Sequence, residues 1–470
     1  MAEPVPSSPA LEANVLASVR RRLIRGSGWI MLARVIGIPL GIVINGFLAR
    51  LLTKTEFGAY LTCFTFVIVG SLIAQLGLDR AVVRLVSQSL AIDLSGRARQ
   101  TIRRTMWIGV ASSLAAGAVL VVVGPSFARR VLDSEAVATG IPLTAGWLVA
   151  YSLQSLVVES FRGLQDFRRA TLYDTVLVDV ALAATVCAMW VFGTREVGLV
   201  TVLVIVGGIT ALVTIIAGSL LLLRVQTVEG DGRLERGEIL AIAWPSLLTN
   251  IASYFLSTGI DVLILGAFRP QSQVAVYGAA TRLVILVATP LWILRGVLPP
   301  MISELHAKGR TRELERTLRA GATLAGLPSF LVLVVFLLFG GPVMGLAFGG
   351  GYESGATVLT FLAIGRMVAV WSGASGVTLL MTGHQRAMMT ITLCTGAATV
   401  GVEVLVAPHF GPTGVALTTM TGAVIQNLLQ LAMVRHYLHV WSQMEFSPDA
   451  LRRFFARARP QGSLDSGADA

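Results

Sequence analysis

The chain has 470 residues, of which 54% are apolar and 13% are charged, and its mean hydropathy is +0.76. A soluble domain needs about a quarter of its residues charged, so this composition excludes a soluble globular protein. The net charge of +11 lies mainly between apolar runs of about 20 residues, the length that crosses a bilayer, which excludes a nucleic-acid-binding role. The sequence predicts an all-α polytopic membrane protein.

Residues 1–28 form a predicted cytoplasmic N-terminal segment, acidic and rich in proline and serine at its start and rich in arginine before the first apolar run. That run has full spanning length and no small-residue cleavage site behind it. We therefore expect it to remain as a membrane span and not to be removed as a signal peptide.

Twelve spans are predicted, six in each half of the chain. The halves are an N-terminal six-helix bundle at 29–223 and a C-terminal six-helix bundle at 239–438, joined by the cytoplasmic linker 224–238. Because each half has an even number of spans, a pseudo-two-fold axis along the membrane normal is expected. The predicted spans are 29–52, 57–78, 105–124, 141–160, 172–192, 198–223, 239–268, 276–298, 320–340, 355–382, 387–407 and 413–438.

The distribution of basic residues predicts the orientation. With both termini cytoplasmic, most lysines and arginines face the cytoplasm, as the positive-inside rule requires. The basic residues then left on the outer side are Arg50, Lys54, Arg129, Arg130, Arg195 and Arg269. Residues 439–470 contain a basic amphipathic helix that starts near Ser447 and suits an anionic inner leaflet, followed by a disordered tail. A solvated basic tail is the alternative.

No enzyme motif is present. The chain has no Gly-x-x-x-x-Gly-Lys loop, and its three cysteines and five histidines lack ligand spacing. His436 and His439 are one helical turn apart, which we interpret as a solvated helix end. The sequence therefore predicts no catalytic residue, no cofactor and no metal site.

Arginines inside spans are costly in hydrocarbon and usually face a cavity or a partner. Arg366 lies in the middle of the tenth span and is a candidate substrate-binding residue, with structural pairing as the alternative. Arg34 lines a cavity or reaches back to the headgroups. Arg282 is the third candidate, whereas Arg295 is close to a span end and is expected to reach the headgroups.

Carboxylates inside spans are candidates for ion coupling. Asp261 lies at the same depth as Arg282, about 10 Å from one membrane face, so the two form a salt bridge or contact substrate. Asp179 is deeper than Glu159 and Glu403, which are expected near the interface. Polar residues that could bond a sugar, or other helices, are Asn45, Gln75, Gln154, Asn250 and Gln426.

Several segments together resemble the polysaccharide flippases of the MOP (multidrug/oligosaccharidyl-lipid/polysaccharide) exporter superfamily. These are Leu48-Ala-Arg-Leu-Leu52 with Glu56-Phe-Gly-Ala-Tyr60, Gln75-Leu-Gly-Leu-Asp-Arg80, and Trp244-Pro245 with Val276-Tyr-Gly-Ala-Ala-Thr-Arg282. The similarity covers about residues 25–440. Twelve spans are more similar to the O-antigen and exopolysaccharide flippases than to the lipid II flippase, which typically has fourteen.

The resemblance implies that two six-helix bundles rock about a cavity and move undecaprenyl-pyrophosphate-linked oligosaccharide across the bacterial inner membrane. Arg34, Arg282 and Arg366 suit the pyrophosphate, since arginine forms paired hydrogen bonds to phosphate. Implied partners are the lipid-linked oligosaccharide, membrane lipids, a proton or sodium ion, and the polymerase and glycosyltransferases of the same pathway.

Two other functions are considered. An ion-coupled exporter of small amphipathic cations has the same fold, but its cavity should be acidic, and the charges at mid-membrane here are mostly arginine. A membrane-embedded glycosyltransferase or polymerase should have a large outer loop or an acidic catalytic pair, and every predicted outer link is short.

Overall fold

The computed structural model describes residues 36–92, 94–192, 197–226, 237–255 and 260–445. Arg34, the predicted N-terminal segment and the predicted amphipathic helix beyond Ser447 lie outside the described residues. Within these ranges the chain is almost entirely helical and contains no strand. This confirms the predicted all-α class.

The described helices are numbered in chain order. Their bounds are α1 Ile36–Leu51, α2 Lys54–Ala74, α3 Leu78–Ala91, α4 Ser95–Arg130, α5 Glu135–Gly163, α6 Phe167–Val191, α7 Leu199–Gln226, α8 Glu238–Phe255, α9 Asp261–Phe268, α10 Gln271–Ala307, α11 Thr311–Phe348, α12 Ala356–Trp371, α13 Ser375–Met381 and α14 Gln385–Leu438.

Nine of the described helices are long and apolar enough to cross a membrane, judged by length and composition. Helices form because hydrocarbon offers no partner for backbone N–H and C=O groups, so a spanning segment must satisfy them internally. The chain is therefore a multi-pass membrane protein. Helix α14 has 54 residues and breaks at Gly411 (φ 58°, ψ −145°), between the predicted eleventh and twelfth spans. The count of twelve stays a prediction, because residues 1–35 lie outside the described ranges.

The start and end of the second span differ from the prediction. The predicted spans 29–52 and 57–78 leave residues 53–56 as a link, but Thr53 caps α2 and residues 54–56 form its first turn. The Thr53 hydroxyl accepts a hydrogen bond from the Glu56 N–H, and the Glu56 carboxylate accepts one from the Thr53 N–H. This reciprocal capping satisfies two donors at the helix start. The helix ends at Ala74 and not at residue 78, because Leu76 and Gly77 adopt φ of 51° and 76°.

In the seventh predicted span, 239–268, the described helices are α8 and α9, and residues 256–259 between them lie outside the described residues. The tenth predicted span, 355–382, is discontinuous and divides into α12 and α13. Gly373 has φ of +72° between these two helices, a backbone conformation that favours glycine. Discontinuous helices of this kind in transporters commonly mark a binding site or a point of bending.

The described chain packs as two units. Unit 1 comprises the described residues up to Arg282 together with Gly345–Gly351, and unit 2 comprises Leu283–Met344 and the described residues from Tyr352 onward. In unit 1, α5 is the central helix and packs against α2, α3, α4 and α7; in unit 2, α12 and α13 pack on α14. The predicted division into bundles 29–223 and 239–438 stays a prediction.

Unit 1 contains α8, α9 and the start of α10, and three polar contacts hold α8 and α10 against the first helices. Arg97 forms an ion pair with Glu238 at the start of α8, and further along α8 the Asn250 amide donates to the Asp79 carboxylate at 3.0 Å. Thr62 donates to the Gln271 side chain at the start of α10, at 2.9 Å. These contacts join α8 to α3 and α4, and α10 to α2.

Candidate functional site

An aromatic cluster lies within unit 1. Tyr60 and Phe64 are four residues apart on α2 and therefore share one face of that helix. Trp147 of α5 lies against both: its ring centroid is 6.2 Å from that of Tyr60, nearly parallel at 13°, and 5.7 Å from that of Phe64. Tyr60 and Trp147 are buried, while Phe64 is half-buried. Phe64 is therefore the accessible edge of the cluster.

Arg282 joins this cluster from α10. Its guanidinium carbon lies 4.9 Å from the centroid of the Phe64 ring, within the range of a cation–π interaction. The side chain is half-buried. An arginine held over an aromatic face keeps its planar N–H groups directed outward, so Arg282 can offer donors to an anion beside an apolar surface.

Asp179 of α6 approaches the same cluster. Tyr60 lies within electrostatic range of both Arg282 and Asp179. Helix α1 passes close to Asp179, because a methyl group added at Gly37 would be 3.5 Å from the Asp179 Oδ2 atom. Two predicted site residues, Arg282 and Asp179, therefore both lie within electrostatic range of Tyr60.

Asp261 has a partner that the sequence does not indicate. The Tyr277 hydroxyl donates a 2.6 Å hydrogen bond to the Asp261 carboxylate, and both residues are buried. Tyr277 and Arg282 are five positions apart on α10, which places them about 140° apart around the helix. Asp261 therefore bonds a face of α10 different from the one that carries Arg282.

In unit 2, Arg366 of α12 lies within electrostatic range of Arg295 of α10. The Arg295 Nε atom is buried and has no hydrogen-bond partner among the described residues. That the end of this side chain reaches the headgroups stays a prediction. Two guanidinium groups at close range repel each other, and an anion between them would offset that repulsion.

Glu403 is buried within the protein, with 1% of its surface exposed, and its predicted depth near the membrane interface stays a prediction. The Thr419 hydroxyl donates a 2.8 Å hydrogen bond to its carboxylate. The sequence could have indicated this hydrogen bond. Glu403 is eight residues before the break at Gly411 and Thr419 is eight residues after it, so the two hairpin arms bring them to the same depth.

Four of the polar residues that could bond a sugar have partners within the protein. The Ser155 hydroxyl donates to the Gln75 side chain at 3.4 Å. Gln154 donates to the Tyr173 carbonyl at 2.6 Å, at a π-helical turn in α6 (Leu172–Val176). The Asn45 amide donates to the carbonyl of Gly41 in its own helix at 2.7 Å. Asn250 bonds Asp79. Since a π turn leaves main-chain groups without their usual helical partners, Gln154 stabilises this turn.

A family model described as "Polysaccharide biosynthesis protein" matches residues 23–306, more than half of the chain. The chain is also 23% identical, over 205 residues, to the "Probable low-salt glycan biosynthesis flippase Agl15" of Haloferax volcanii. The aligned part covers 43% of this chain and 42% of that relative, so the likeness extends over less than half of the relative's length.

Solved structures of MOP transporters have a similar fold. A multidrug resistance MATE family transporter of the MOP superfamily, in an inward-facing conformation, matches with a TM-score of 0.69 at 15% identity, covering 87% of this chain and 98% of that one. The lipid II flippase MurJ, in an inward closed conformation, matches with a TM-score of 0.63 at 12% identity, covering 94% of each chain. At these identities the likeness concerns the fold alone.

Proposed function

The chain belongs to the polysaccharide biosynthesis protein family, and from that premise we propose that it is a flippase for undecaprenyl-pyrophosphate-linked oligosaccharide repeat units. It moves them from the cytoplasmic to the outer face of the bacterial inner membrane, with both of its own termini cytoplasmic. A sugar hydroxyl without a partner costs several kcal/mol in hydrocarbon, so such a saccharide does not cross unaided.

The observation that carries this proposal is the placement of guanidinium groups within the helical bundles. Arg282 lies at the aromatic cluster of unit 1, and Arg366 lies near Arg295 in unit 2. Arginine binds phosphate through paired, charge-assisted hydrogen bonds. Each of these guanidinium groups, with that of Arg34 as a further proposed contributor, suits a phosphate of the pyrophosphate.

The aromatic cluster supports a saccharide as the second part of the cargo. A sugar ring has apolar C–H faces and a polar rim, and an aromatic side chain offers a flat apolar surface of matching size. Phe64 is half-buried and lies beside Arg282, so one surface provides both an apolar face and donors.

Transport by alternating access needs two states of similar energy and a ligand that shifts their populations. We propose a proton or sodium ion as the coupling ion, with Asp179 and Asp261 as candidate groups and buried Glu403 as a further one. The polymerase and glycosyltransferases of the same pathway are proposed partners.

The test measures surface polysaccharide in a deletion strain that carries variants of this chain. Arg282→Ala and Arg366→Ala should each lower export roughly ten-fold or more, because a hydrogen bond to a charged group contributes about 1.5–3 kcal/mol. Arg312→Ala is the matched control, since Arg312 is exposed and lies at the start of α11; it should export normally.

Normal export by Arg282→Ala and Arg366→Ala cells would contradict the arginine site. The alternative function, an ion-coupled exporter of small amphipathic cations, predicts another outcome. Under it, the deletion strain keeps its full polysaccharide and becomes sensitive to cationic drugs.

A further inference from the structure

The chain turns sharply after α14. His439 has a φ of +57°, and the six residues that follow it are not helical. Val440, Ser442 and Met444 are buried while Trp441 is exposed, an alternation typical of an extended segment lying on a packed surface. We call residues 439–445 the strap.

The strap contacts the break between α12 and α13. The Met444 N–H donates to the Trp371 carbonyl at 2.8 Å, and the Ser442 hydroxyl donates to the Ser372 carbonyl at 3.0 Å. Carbonyls at a helix end lack intrahelical partners. The strap therefore provides the donors that the break removes. A methyl group at Gly373 would overlap the Ser442 carbonyl oxygen, so the contact also depends on this glycine.

The same strap is fixed to α11. The Thr323 hydroxyl accepts from the Glu445 N–H and donates to the Glu445 carbonyl, both at 3.0 Å. Arg319 pairs with the Glu445 carboxylate at 3.5 Å. Met444 lies against Gly326, where an added methyl group would overlap its sulfur. Thr323 is buried, so these bonds are shielded from water.

The strap thus bonds α11 at one end and the α12–α13 break in its middle. Bending of the break relative to α11 would break the bonds to Trp371 and Ser372. Broken helices are where transporter halves bend, and hinges of this kind absorb large changes in φ and ψ. We propose that the strap is a lock on the α12–α13 hinge, and that it must leave the hinge during each transport cycle. This inference rests on the proposed transport.

A reversible cross-link tests the requirement for release. Ser372→Cys and Ser442→Cys are introduced into a chain whose native Cys63, Cys187 and Cys394 have been replaced. The Ser442 hydroxyl bonds the main-chain carbonyl of Ser372, so the two residues are neighbours. Thiol titration after oxidation measures the fraction of protein in which the disulfide has formed, and export is compared at that fraction. Oxidation should lower polysaccharide export at least ten-fold, and a reductant should restore it. Full export by the oxidised, cross-linked protein would overturn the proposal.

The matched control joins the strap to its own helix. The Arg435 guanidinium donates to the His439 carbonyl and lies 5.1 Å from the centroid of the Trp441 ring. Because both of these side chains are long, an Arg435→Cys/Trp441→Cys pair is joined by a bifunctional maleimide and not by a direct disulfide. This cross-link ties the root of the strap to α14, leaves the hinge free and should not reduce export.

A second measurement needs no substrate. Spin labels at Trp441→Cys on the strap and Leu327→Cys on α11, both exposed sites, should give two distance populations in detergent-solubilised protein. Gly373→Ala should increase the longer-distance population at least two-fold. Gly383→Ala is its control, because Gly383 also has a positive φ of +85° but has open space around it; it should leave the populations unchanged.

A single distance between the two spin labels in every variant would overturn the proposal that the strap locks the hinge. If the labelled protein shows two populations but the unsubstituted chain restores no polysaccharide export in the deletion strain, the proposed cargo fails and the strap's movement stands. The two failures are therefore distinguishable.

Discussion

The hydroxyl of Thr419 donates a 2.8 Å hydrogen bond to the carboxylate of Glu403 across the hairpin that Gly411 creates. Thr419 also donates to the Val415 carbonyl in its own helix at 2.9 Å, so this hydroxyl connects the two arms of α14. A buried carboxylate is expensive in an apolar environment unless it is hydrogen-bonded. This contact therefore helps to hold Glu403 within unit 2.

Thr419→Val should lower the free energy of unfolding by about 1–3 kcal/mol, because the buried carboxylate loses a donor. Thr421→Val is the matched control: Thr421 is exposed and bonds the Leu417 carbonyl of its own helix. Thr421→Val should leave the free energy of unfolding almost unchanged. Denaturant titration in detergent micelles measures both values, and equal values would contradict a stabilising bond to Glu403.

Gly58→Ala should destabilise the protein by about 1–3 kcal/mol, the usual effect of overpacking. A methyl group at Gly58 overlaps the backbone carbonyl of Gln271, which cannot rotate away as a side chain would. Gly208→Ala in α7 is the control, since nothing lies within 4 Å of a methyl group there. It should be neutral or slightly stabilising, because alanine favours helix over glycine. A neutral Gly58→Ala would show that α2 and α10 do not approach as closely as described.

Tyr277→Phe should lower the free energy of unfolding by about 1.5–3 kcal/mol, since it removes the hydroxyl that bonds the buried Asp261 carboxylate. Asp261→Asn keeps an acceptor for that hydroxyl and should cost less. The same titration compares the two variants. A smaller loss for Tyr277→Phe than for Asp261→Asn would argue that the charge of Asp261 has its main partner elsewhere.

The ion pair between Arg97 and Glu238 should show a coupling free energy of about 0.5–1 kcal/mol in a double-mutant cycle of Arg97→Ala and Glu238→Ala. Its side chains are 22% and 23% exposed, so solvent screens the interaction partly. Added salt should reduce the coupling. The Arg129–Glu135 pair, with side chains 56% and 69% exposed, is the control and should show no measurable coupling. Equal coupling in both cycles would contradict a specific role for the contact between α4 and α8.

The class of protein and the family were predictable from the sequence, and both predictions are confirmed. Apolar runs such as 198–223 have to be helical in a bilayer, because their backbone groups have no other partner. The position of the hairpin near Pro408–Pro412 was also predicted, because two prolines and a glycine close together favour a break in a long apolar stretch. The quoted segments around Arg50 and Arg282 predicted the family correctly.

The capping of α2 was partly visible as well. Thr53 and Glu56 have the spacing of a capping box, yet they were interpreted as a link because polar residues between apolar runs resemble a loop. The strap was not predictable, because apolar and polar residues do not alternate from Val440 to Met444. The alternation there is one of burial, which depends on packing against α11 and the α12–α13 break.

The sequence by itself determined which segments of the chain lie in hydrocarbon, because the length, apolar content and charge of a segment are local properties. Only the tertiary structure decided which groups meet: Asp261 with Tyr277, Arg282 with Phe64, Arg295 with Arg366, and the strap with the α12–α13 break. The physical reason is that a span apolar on every side carries no periodicity that indicates its inward face. The rotation of each helix, and hence the partner of each buried charge, depends on packing between residues distant in the chain.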